Sequence, residues 1–263
     1  MMLFKILSII SLLLLFAGSA LIFKSNNNKL KIAGNALYII GFCLLGIYIA
    51  ILWITLERPP LRTLGETRLW YAFFMASVGY IIYLRWKLVW MLIYASGMTT
   101  VFVLINVLKP ENFDKTLMPA LQSHWFVPHV IVYIFAYALL GASAIISLKA
   151  LYLDYKNKYD SELLEIADNI VYVGFSFLTF GLLFGALWAK EAWGNYWTWD
   201  PKETWAFLTW ILYLLYMHYR IHKPKEYKTA IIILTLAFVF LLICWLGLNY
   251  LPIAQNSVHT YTN

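Results

Sequence analysis

The sequence predicts an all-α protein that crosses a membrane about eight times, and three observations support that prediction. Of its 263 residues, 62% are hydrophobic and only 13% are charged, whereas a soluble domain is about half apolar and about a quarter charged. The chain contains eight apolar runs, most of them close to the roughly 20 residues that a membrane-spanning helix requires. Its Lys and Arg residues are scattered through the short connections between these runs, where basic residues set topology.

The eight predicted spans follow one another without a polar linker or a convincing internal repeat. The first could be a secretory signal peptide, but no small-residue cleavage site with a mature domain follows it, so we predict a retained helix. The third and the seventh are the weakest by length. In chain order the predicted spans are 3–23, 32–54, 69–84, 88–108, 128–148, 169–188, 204–219 and 229–249.

The distribution of Lys and Arg predicts the orientation of these spans. Twelve of the 20 basic residues lie in the first, third, fifth and seventh connections, and the other eight lie on the opposite side, termini included. The contrast is sharpest near the C-terminus, where "YRIHKPKEYK" at 219–228 faces a tail without Lys or Arg. Because cytoplasmic connections are enriched in Lys and Arg, we predict that both termini, the connection 109–126 and the connection between the sixth and seventh spans lie on the extracytoplasmic side.

Charge and cysteine content exclude two other classes. The net charge of +7 does not indicate nucleic-acid binding, because the basic residues form no patch and lie between apolar runs. Cys43 and Cys244 both lie in apolar runs. They cannot form a disulfide framework, a CxxC redox pair or a CxxCH heme-attachment site.

The connection between the sixth and seventh spans, "WGNYWTWDPKETW", is the most unusual stretch; we call residues 193–205 the Trp-rich segment. Interfacial anchoring explains part of it, because Trp and Tyr gather at membrane surfaces. Helix capping explains another part: Asp200 is a good N-cap, Pro201 suits the first helical position and Glu203 would complete a capping box.

The density of aromatic rings in the Trp-rich segment exceeds what anchoring requires. Trp193 and Trp197 are four residues apart and would share a face if the segment were helical. A platform of flat rings suits a large, planar, apolar ligand. Its candidate members are Trp193, Tyr196, Trp197, Trp199 and Trp205.

The histidines suggest what that ligand is. His129 opens the fifth span after Pro128, and His259 follows the eighth span, so both are predicted on the same side as the Trp-rich segment. Imidazole is a common axial ligand of heme iron, which makes this pair a candidate bis-His heme site. His124 lies five residues before His129 and is its rival. His222 lies in a basic connection and fits an ordinary helix-end residue.

His218 is different, because it lies near the cytoplasmic end of the seventh span in "YLLYMHYR". An ionisable residue inside a span is a functional hypothesis by default. Snorkelling toward the basic connection is the plain alternative, and a second heme or metal site is the functional one. The first four spans contain no His, so a bis-His site at His218 would need a histidine from another chain.

These residues resemble a known family. The stretch "WGNYWTWDPKETWAFLTW" is similar to the tryptophan-rich WWD signature of the heme-handling proteins of cytochrome c maturation, and most similar to their CcsA (ResC) type. Three further stretches agree in order and spacing, namely "LQSHWFVPHV", "YLLYMHYR" and "SVHTY". Together they cover about residues 120–261. Residues 1–110 match loosely, and there "RPPLRTLGETRLW" looks like an external loop of the family that contains a Glu, here Glu66.

The resemblance implies a function and a domain division. We expect residues 1–110 to form an N-terminal unit of four spans and residues 111–263 a heme-handling WWD-type core. The implied function is that of a heme transporter and cytochrome c synthase (heme lyase) subunit in the cytoplasmic membrane, with its active face outside or periplasmic. The implied partners are a CcsB (ResB) membrane subunit and an apocytochrome c CxxCH motif, and the implied cofactor is heme b.

The resemblance also implies individual roles. By position, His129 and His259 match the two external iron ligands, and His218 matches the intramembrane ligand. The expected heme-binding residues further include Trp193, Trp197, Trp199, Asp200, Trp205 and Glu66. No role follows for His124.

Three other functions remain open at this point. A heme exporter would pass heme to a chaperone without attaching it, as the CcmC type of the wider family does. A redox cytochrome would hold permanent hemes, although such proteins usually pair histidines across the helices of one bundle. A structural or assembly protein would bind no cofactor. Because no residue suggests a nucleophile, a general base or a reductase, we expect a synthase that works by positioning its substrates.

Overall fold

The computed structural model describes residues 2–109, 121, 123–158 and 160–248. Within these ranges the regular secondary structure is entirely helical, with no strand, which confirms the predicted all-α class and its eight helices. The helices are α1 (Met2–Lys24), α2 (Asn28–Leu56), α3 (Leu64–Trp86), α4 (Trp90–Leu108), α5 (Phe126–Tyr155), α6 (Ser161–Trp193), α7 (Pro201–His222) and α8 (Tyr227–Leu242), which continues into a π-helical turn, Ile243–Gly247.

Six of the described helices are long and apolar enough to cross a membrane: α1, α2, α4, α5, α6, and α8 with its π-helical turn. The chain is therefore a multi-pass membrane protein. Helices α3 and α7, which correspond to the two weakest predicted spans, fall below that standard. Both have charged residues near their ends and several Trp and Tyr along their length, which lower the mean hydropathy.

The chain divides into two compact units, Met1–Leu117 and Met118–Asn263. In the first unit α1 packs against α2 and α4, and α3 packs against α4 and α2. The helices approach closely at small residues: a Cβ on Gly18 would lie 2.7 Å from the Gly34 carbonyl oxygen. Tyr38 is fully buried in the centre, where its hydroxyl donates to the Ala76 carbonyl at 3.1 Å.

The second unit has the same order of packing, with α5 against α6 and α8, and α7 against α8 and α6. Helix α6 meets α5 through glycines: a Cβ on Gly181 would lie 2.7 Å from the Tyr133 ring. At the other end, Asp168 of α6 accepts from Arg220 of α7 at 2.7 Å and from the Tyr216 hydroxyl at 2.5 Å. These contacts join α6 to α5 at Gly181 and to α7 at Asp168.

The two units share one further feature that the sequence did not reveal. In each unit a connection of seven residues joins the second helix to the third, residues 57–63 in the first unit and 194–200 in the second. Each connection begins with a left-handed C-cap, Glu57 or Gly194, and ends with an N-cap whose helix has Glu66 or Glu203 in a capping box. The intervening residues differ almost completely, so the repeat lies in the backbone and its caps rather than in the residue types.

Candidate functional site

The Trp-rich segment is shaped by the end of one helix and the start of the next. Helix α6 ends at Trp193 because Gly194 takes a left-handed C-cap conformation with φ of 84°, which Gly adopts without steric cost. The residues 195–200 are not helical, so the condition under which Trp193 and Trp197 would share a helix face is not met. The predicted start of α7 is confirmed: Asp200 is the N-cap, Pro201 begins the helix and Glu203 completes a capping box.

His129 has a fixed orientation in the first turns of α5. Its Nδ1 lies 2.9 Å from the Gly181 carbonyl oxygen. Because a carbonyl can only accept, Nδ1 carries the hydrogen, and in the neutral ring Nε2 bears the lone pair. The ring also lies against Gly185, where an added Cβ would be 2.8 Å from Cε1. Two glycines of α6 thus provide both the acceptor and the space for this imidazole.

A continuous row of aromatic rings leads from His129 to the Trp-rich segment. The His129 ring centroid lies 5.3 Å from that of Trp188, which lies 4.9 Å from that of Trp193. Tyr133 also packs against His129, edge-on, with the ring centroids 4.8 Å apart. Trp188 is only 6% exposed. The structure therefore brings the predicted residues His129 and Trp193 together through a residue that the sequence reasoning missed.

The other tryptophans of the segment occupy two different places. Trp197 and Trp199 pack on Phe207 of α7, with ring centroids 6.3 and 5.7 Å away. Trp205 packs instead on Phe240 of α8 at 5.1 Å. The tryptophans of the segment thus have different ring partners, and their expected joint part in binding a planar ligand stays a prediction. The indole Nε1 of Trp197 is buried and has no acceptor among the described residues.

The acidic residues of the site bind backbone groups. Asp200 and Glu203 are each 8% exposed. Asp200 accepts from the Lys202 N–H at 2.9 Å, and Glu203 accepts from the N–H groups of Thr198 and Asp200 at 2.7 and 3.1 Å. Both carboxylates thus shape the backbone between Trp197 and Trp205.

Glu66 has a comparable place in the first unit. Its carboxylate is buried, takes two hydrogen bonds of 2.9 Å from the Arg58 guanidinium and accepts from the Arg62 N–H at 2.7 Å. A buried carboxylate paired in this way is neutralised and hydrogen-bonded. Its contacts are those of a group that holds the connection 57–63, and its expected part in heme binding stays a prediction.

His218 lies on an exposed face of α7 together with Ile211 and Leu215, whereas Tyr213 and Tyr216 form the buried face. Its Nδ1 lies 3.0 Å from the Leu214 carbonyl oxygen, so Nδ1 donates and Nε2 bears the lone pair of the neutral ring.

The remaining histidine predictions have different outcomes. His259 lies outside the described residues. The side chain of His124 is 97% exposed, with Nδ1 3.8 Å from a Glu191 oxygen, and it takes no part in the row of rings around His129. Within the described ranges no group of three or more His, Cys, Asp or Glu side chains could hold a metal ion.

Two signals in the sequence could have located the missed residues. The spacing of Gly181 and Gly185 is the small-xxx-small pattern of closely packed membrane helices, and it marks the part of α6 on which the His129 ring lies. Trp188 lies in the same stretch, three residues after Gly185.

Comparison with known proteins gives related sequences along most of the chain. Residues 1–254 match the family described as "Cytochrome C assembly protein". The chain is 31% identical to the "Cytochrome c biogenesis protein CcsA" of Cuscuta exaltata, with 84% of this chain and 82% of that protein covered. It is also 31% identical to the CcsA of Atropa belladonna, with 84% and 83% covered.

A solved structure shares the fold. The chain superposes on "Cytochrome c Heme Lyase CcmF" with a TM-score of 0.68 at 19% sequence identity. The match covers 92% of this chain and 46% of that one, so the chain spans about half the length of that structure.

Proposed function

The chain belongs to the cytochrome c assembly protein family, its role is in cytochrome c maturation, and on that premise we propose that it transports heme b and positions it for attachment to apocytochrome c. In this proposal the chain is a subunit of a cytochrome c synthase (heme lyase) and works with a CcsB (ResB) type membrane partner. The orientation of His129 is the observation that carries the proposal.

The surroundings of His129 are those of an iron ligand. A ligating histidine usually donates its second ring N–H to a carbonyl or carboxylate, which fixes the ring and its tautomer. The 2.9 Å contact between Nδ1 of His129 and the Gly181 carbonyl oxygen has this form. The row of rings continues from His129 through Trp188 to Trp193. A planar apolar molecule bound at Nε2 would therefore lie beside aromatic surface. This arrangement supports an external heme site.

The remaining parts of the external site follow from the resemblance. We propose His259 as the second iron ligand, and Trp193, Trp197, Trp199, Asp200 and Trp205 as the residues that shape the site. The buried Nε1 of Trp197 supplies a donor of the kind that a heme propionate requires. Asp200 acts through the backbone that it caps. Heme is the substrate here, and it leaves on the product.

The reaction requires proximity above all. Thioether formation adds a cysteine thiol across a heme vinyl group, so the sulfur bonds to one vinyl carbon and hydrogen to the other. Reduced heme and reduced thiols held together in the correct geometry react as if in one molecule. We propose that the chain provides that geometry, and that the His of CxxCH replaces one of the two protein ligands as the product forms.

His218 is the proposed ligand of a second heme site inside the membrane. Its ring lies on an exposed face of α7 with Nδ1 bonded to its own helix, which leaves Nε2 as the nitrogen that would bind iron. We propose that the CcsB-type partner supplies the second histidine. Heme would then enter from the cytoplasm at His218 and leave through the Trp-rich segment on the extracytoplasmic side of the cytoplasmic membrane.

One experiment tests these assignments. The chain and its partner are purified from heme-replete cells, and the absorption spectrum is compared among the wild type and the variants His129→Ala, His259→Ala and His218→Ala. We expect each substitution to remove the heme of its own site. The control is His222→Ala, at the end of α7 and with no proposed role, which should keep the wild-type spectrum. Full heme content in all three variants would contradict the proposal.

A second measurement separates a synthase from the alternatives. Holocytochrome c formation is followed in cells that make each variant. If the wild type makes holocytochrome c and a variant retains heme but no longer makes it, the chain takes part in attachment. A permanent redox cytochrome would hold heme without making this product. Free heme delivered to a chaperone, without thioether product, would instead indicate an exporter.

A further inference from the structure

Trp199 has a backbone conformation that its residue type does not favour. Its φ is 59°, in the left-handed region that bulky side chains rarely occupy. Three other non-glycine residues in the described part of the chain share this sign, and each of them follows the end of a helix, namely Glu57, Lys87 and Asn157. Left-handed residues are common at the C-terminal ends of helices. Trp199 instead precedes an N-cap, so helix termination does not explain it.

The Glu203 carboxylate explains the conformation. A single oxygen, Oε2, accepts from the N–H of Thr198 at 2.7 Å and the N–H of Asp200 at 3.1 Å. The two donors flank Trp199, and N–H groups two residues apart converge on one anion where the chain between them curls through a left-handed residue, as in an anion-binding nest. The Thr204 hydroxyl also donates to the Trp199 carbonyl at 3.2 Å. The backbone of Trp199 is therefore fixed on both sides.

Helix capping by itself does not require this arrangement, as the first unit demonstrates. Glu66 occupies the same capping position after a connection of the same length. There the backbone donors are the adjacent residues Arg62 and Thr63, and the Arg58 guanidinium binds the same carboxylate. Arg62, which precedes the N-cap as Trp199 does, is not left-handed. The curled backbone is thus particular to the Trp-rich segment.

We propose that Glu203 is a positioning residue that holds Trp199 in its left-handed conformation and thereby fixes where the indole ring stands. The ring packs edge-on against Trp197 and Phe207 and is still 63% exposed, so the segment presents it outward. That the ring contacts heme rests on the proposed function. That Glu203 fixes the backbone of Trp199 does not depend on the proposed function.

Heme titration of a double-mutant cycle tests the link to binding. The purified complex is compared as wild type, Glu203→Ala, Trp199→Ala and the double variant. We expect each single change to weaken heme binding about fivefold to tenfold, and the double variant to be no weaker than Trp199→Ala, because Glu203 acts through that ring. Glu162→Ala, an exposed Glu in the first turn of α6, is the control and should bind as the wild type does. Additive losses, or full affinity in Trp199→Ala, would overturn the link.

Hydrogen exchange without heme tests whether Glu203 fixes the backbone around Trp199. We expect Glu203→Ala to speed exchange of the Thr198 and Asp200 amides by about tenfold or more, and Glu162→Ala to leave it unchanged. Trp199→Gly should keep these amides protected, because Gly adopts the same φ without strain. Unchanged exchange in Glu203→Ala would show that Glu203 does not fix this backbone, even if His129→Ala abolishes heme binding. Faster exchange in Glu203→Ala, together with unchanged heme binding in His129→Ala, would support the positioning role of Glu203 and contradict the proposed function.

Discussion

At the residue scale, the candidate site depends on how one imidazole is oriented. The sequence could single out His129, because it follows Pro128 at the start of a span and is predicted to lie on the same side as the Trp-rich segment. It could not predict the acceptor, because the Gly181 carbonyl lies 52 residues away along the chain. Nor could it predict the tautomer, which that carbonyl fixes. The residue type is local information, and the orientation of its ring depends on the packing of α5 on α6.

Gly185→Ala tests that orientation without altering the ligand. The new Cβ would lie 2.8 Å from Cε1 and 2.9 Å from Nδ1 of His129, so the ring must move and its bond to Gly181 must lengthen. We expect heme affinity to fall about tenfold, in the range that loss of outer-shell partners costs, with the helical content unchanged. Heme titration and circular dichroism measure the two effects.

Gly97→Ala is the matched control, because a Cβ at Gly97 meets nothing within 4 Å. This variant should bind heme as the wild type does. Equal heme affinity in the two glycine variants would mean that the His129 ring is free to adjust, and that its bond to Gly181 does not matter for binding.

At the element scale, helix boundaries were predictable where the signal is local. The start of α7 follows from Asp200, Pro201 and Glu203, because capping needs only neighbouring side chains. The lengths of α5 and α6 were underestimated: they have 30 and 33 residues, and both continue beyond the apolar run into polar ends. Hydropathy marks the part of a helix that lies in lipid, not the place where its hydrogen bonds stop.

Asp200→Ala tests the capping at the N-terminal end of α7, beside the candidate site. The Asp200 side chain accepts the Lys202 N–H at 2.9 Å, and loss of an N-cap costs about 1 kcal/mol. We expect faster hydrogen exchange in the first turn of α7 and a lower thermal midpoint of the purified protein.

Asp160→Ala provides the comparison for that experiment. Asp160 caps α6 in the same way, with a 3.0 Å bond from the Glu162 N–H, but far along the chain from the Trp-rich segment. Its loss should destabilise the protein by a similar amount and leave heme binding unchanged, whereas Asp200→Ala should weaken heme binding too. If both variants bind heme equally well, the cap of α7 has no part in the site.

At the scale of the whole molecule, the chain is two units with the same order of helix packing and the same capped connection before the third helix of each. In one unit this connection is closed by the Arg58–Glu66 pair. In the other it displays tryptophans, and Glu203 binds only backbone and hydroxyl groups among the described residues. The same backbone thus holds two different sets of side chains.

Thiol labelling tests the predicted orientation of the membrane spans. In a chain with Cys43→Ser and Cys244→Ala, a single cysteine is introduced at Asn195 or at Lys225, both of which are exposed. Because Lys and Arg are enriched in cytoplasmic connections, we expect a membrane-impermeant maleimide to label Asn195→Cys in intact cells.

The Lys225→Cys protein is the internal control for the same experiment. It should react only after the cells are opened, because the connection 219–228 is predicted to lie in the cytoplasm. The reverse pattern of labelling would invert the predicted topology and would place the proposed external heme site on the cytoplasmic side.

The sequence by itself determined the class of the protein, the number of helices, the caps of α7 and the identity of the histidines and tryptophans. Each of these depends on composition, on hydrophobic length or on residues within a few positions of one another. The tertiary structure alone decided which rings meet. Packing of α6 on α5 joined His129 to Trp193 through Trp188, whereas Trp197 packs on Phe207 of α7 and Trp205 on Phe240 of α8. Contacts between residues far apart in the chain depend on how whole helices pack, and no local pattern encodes that packing.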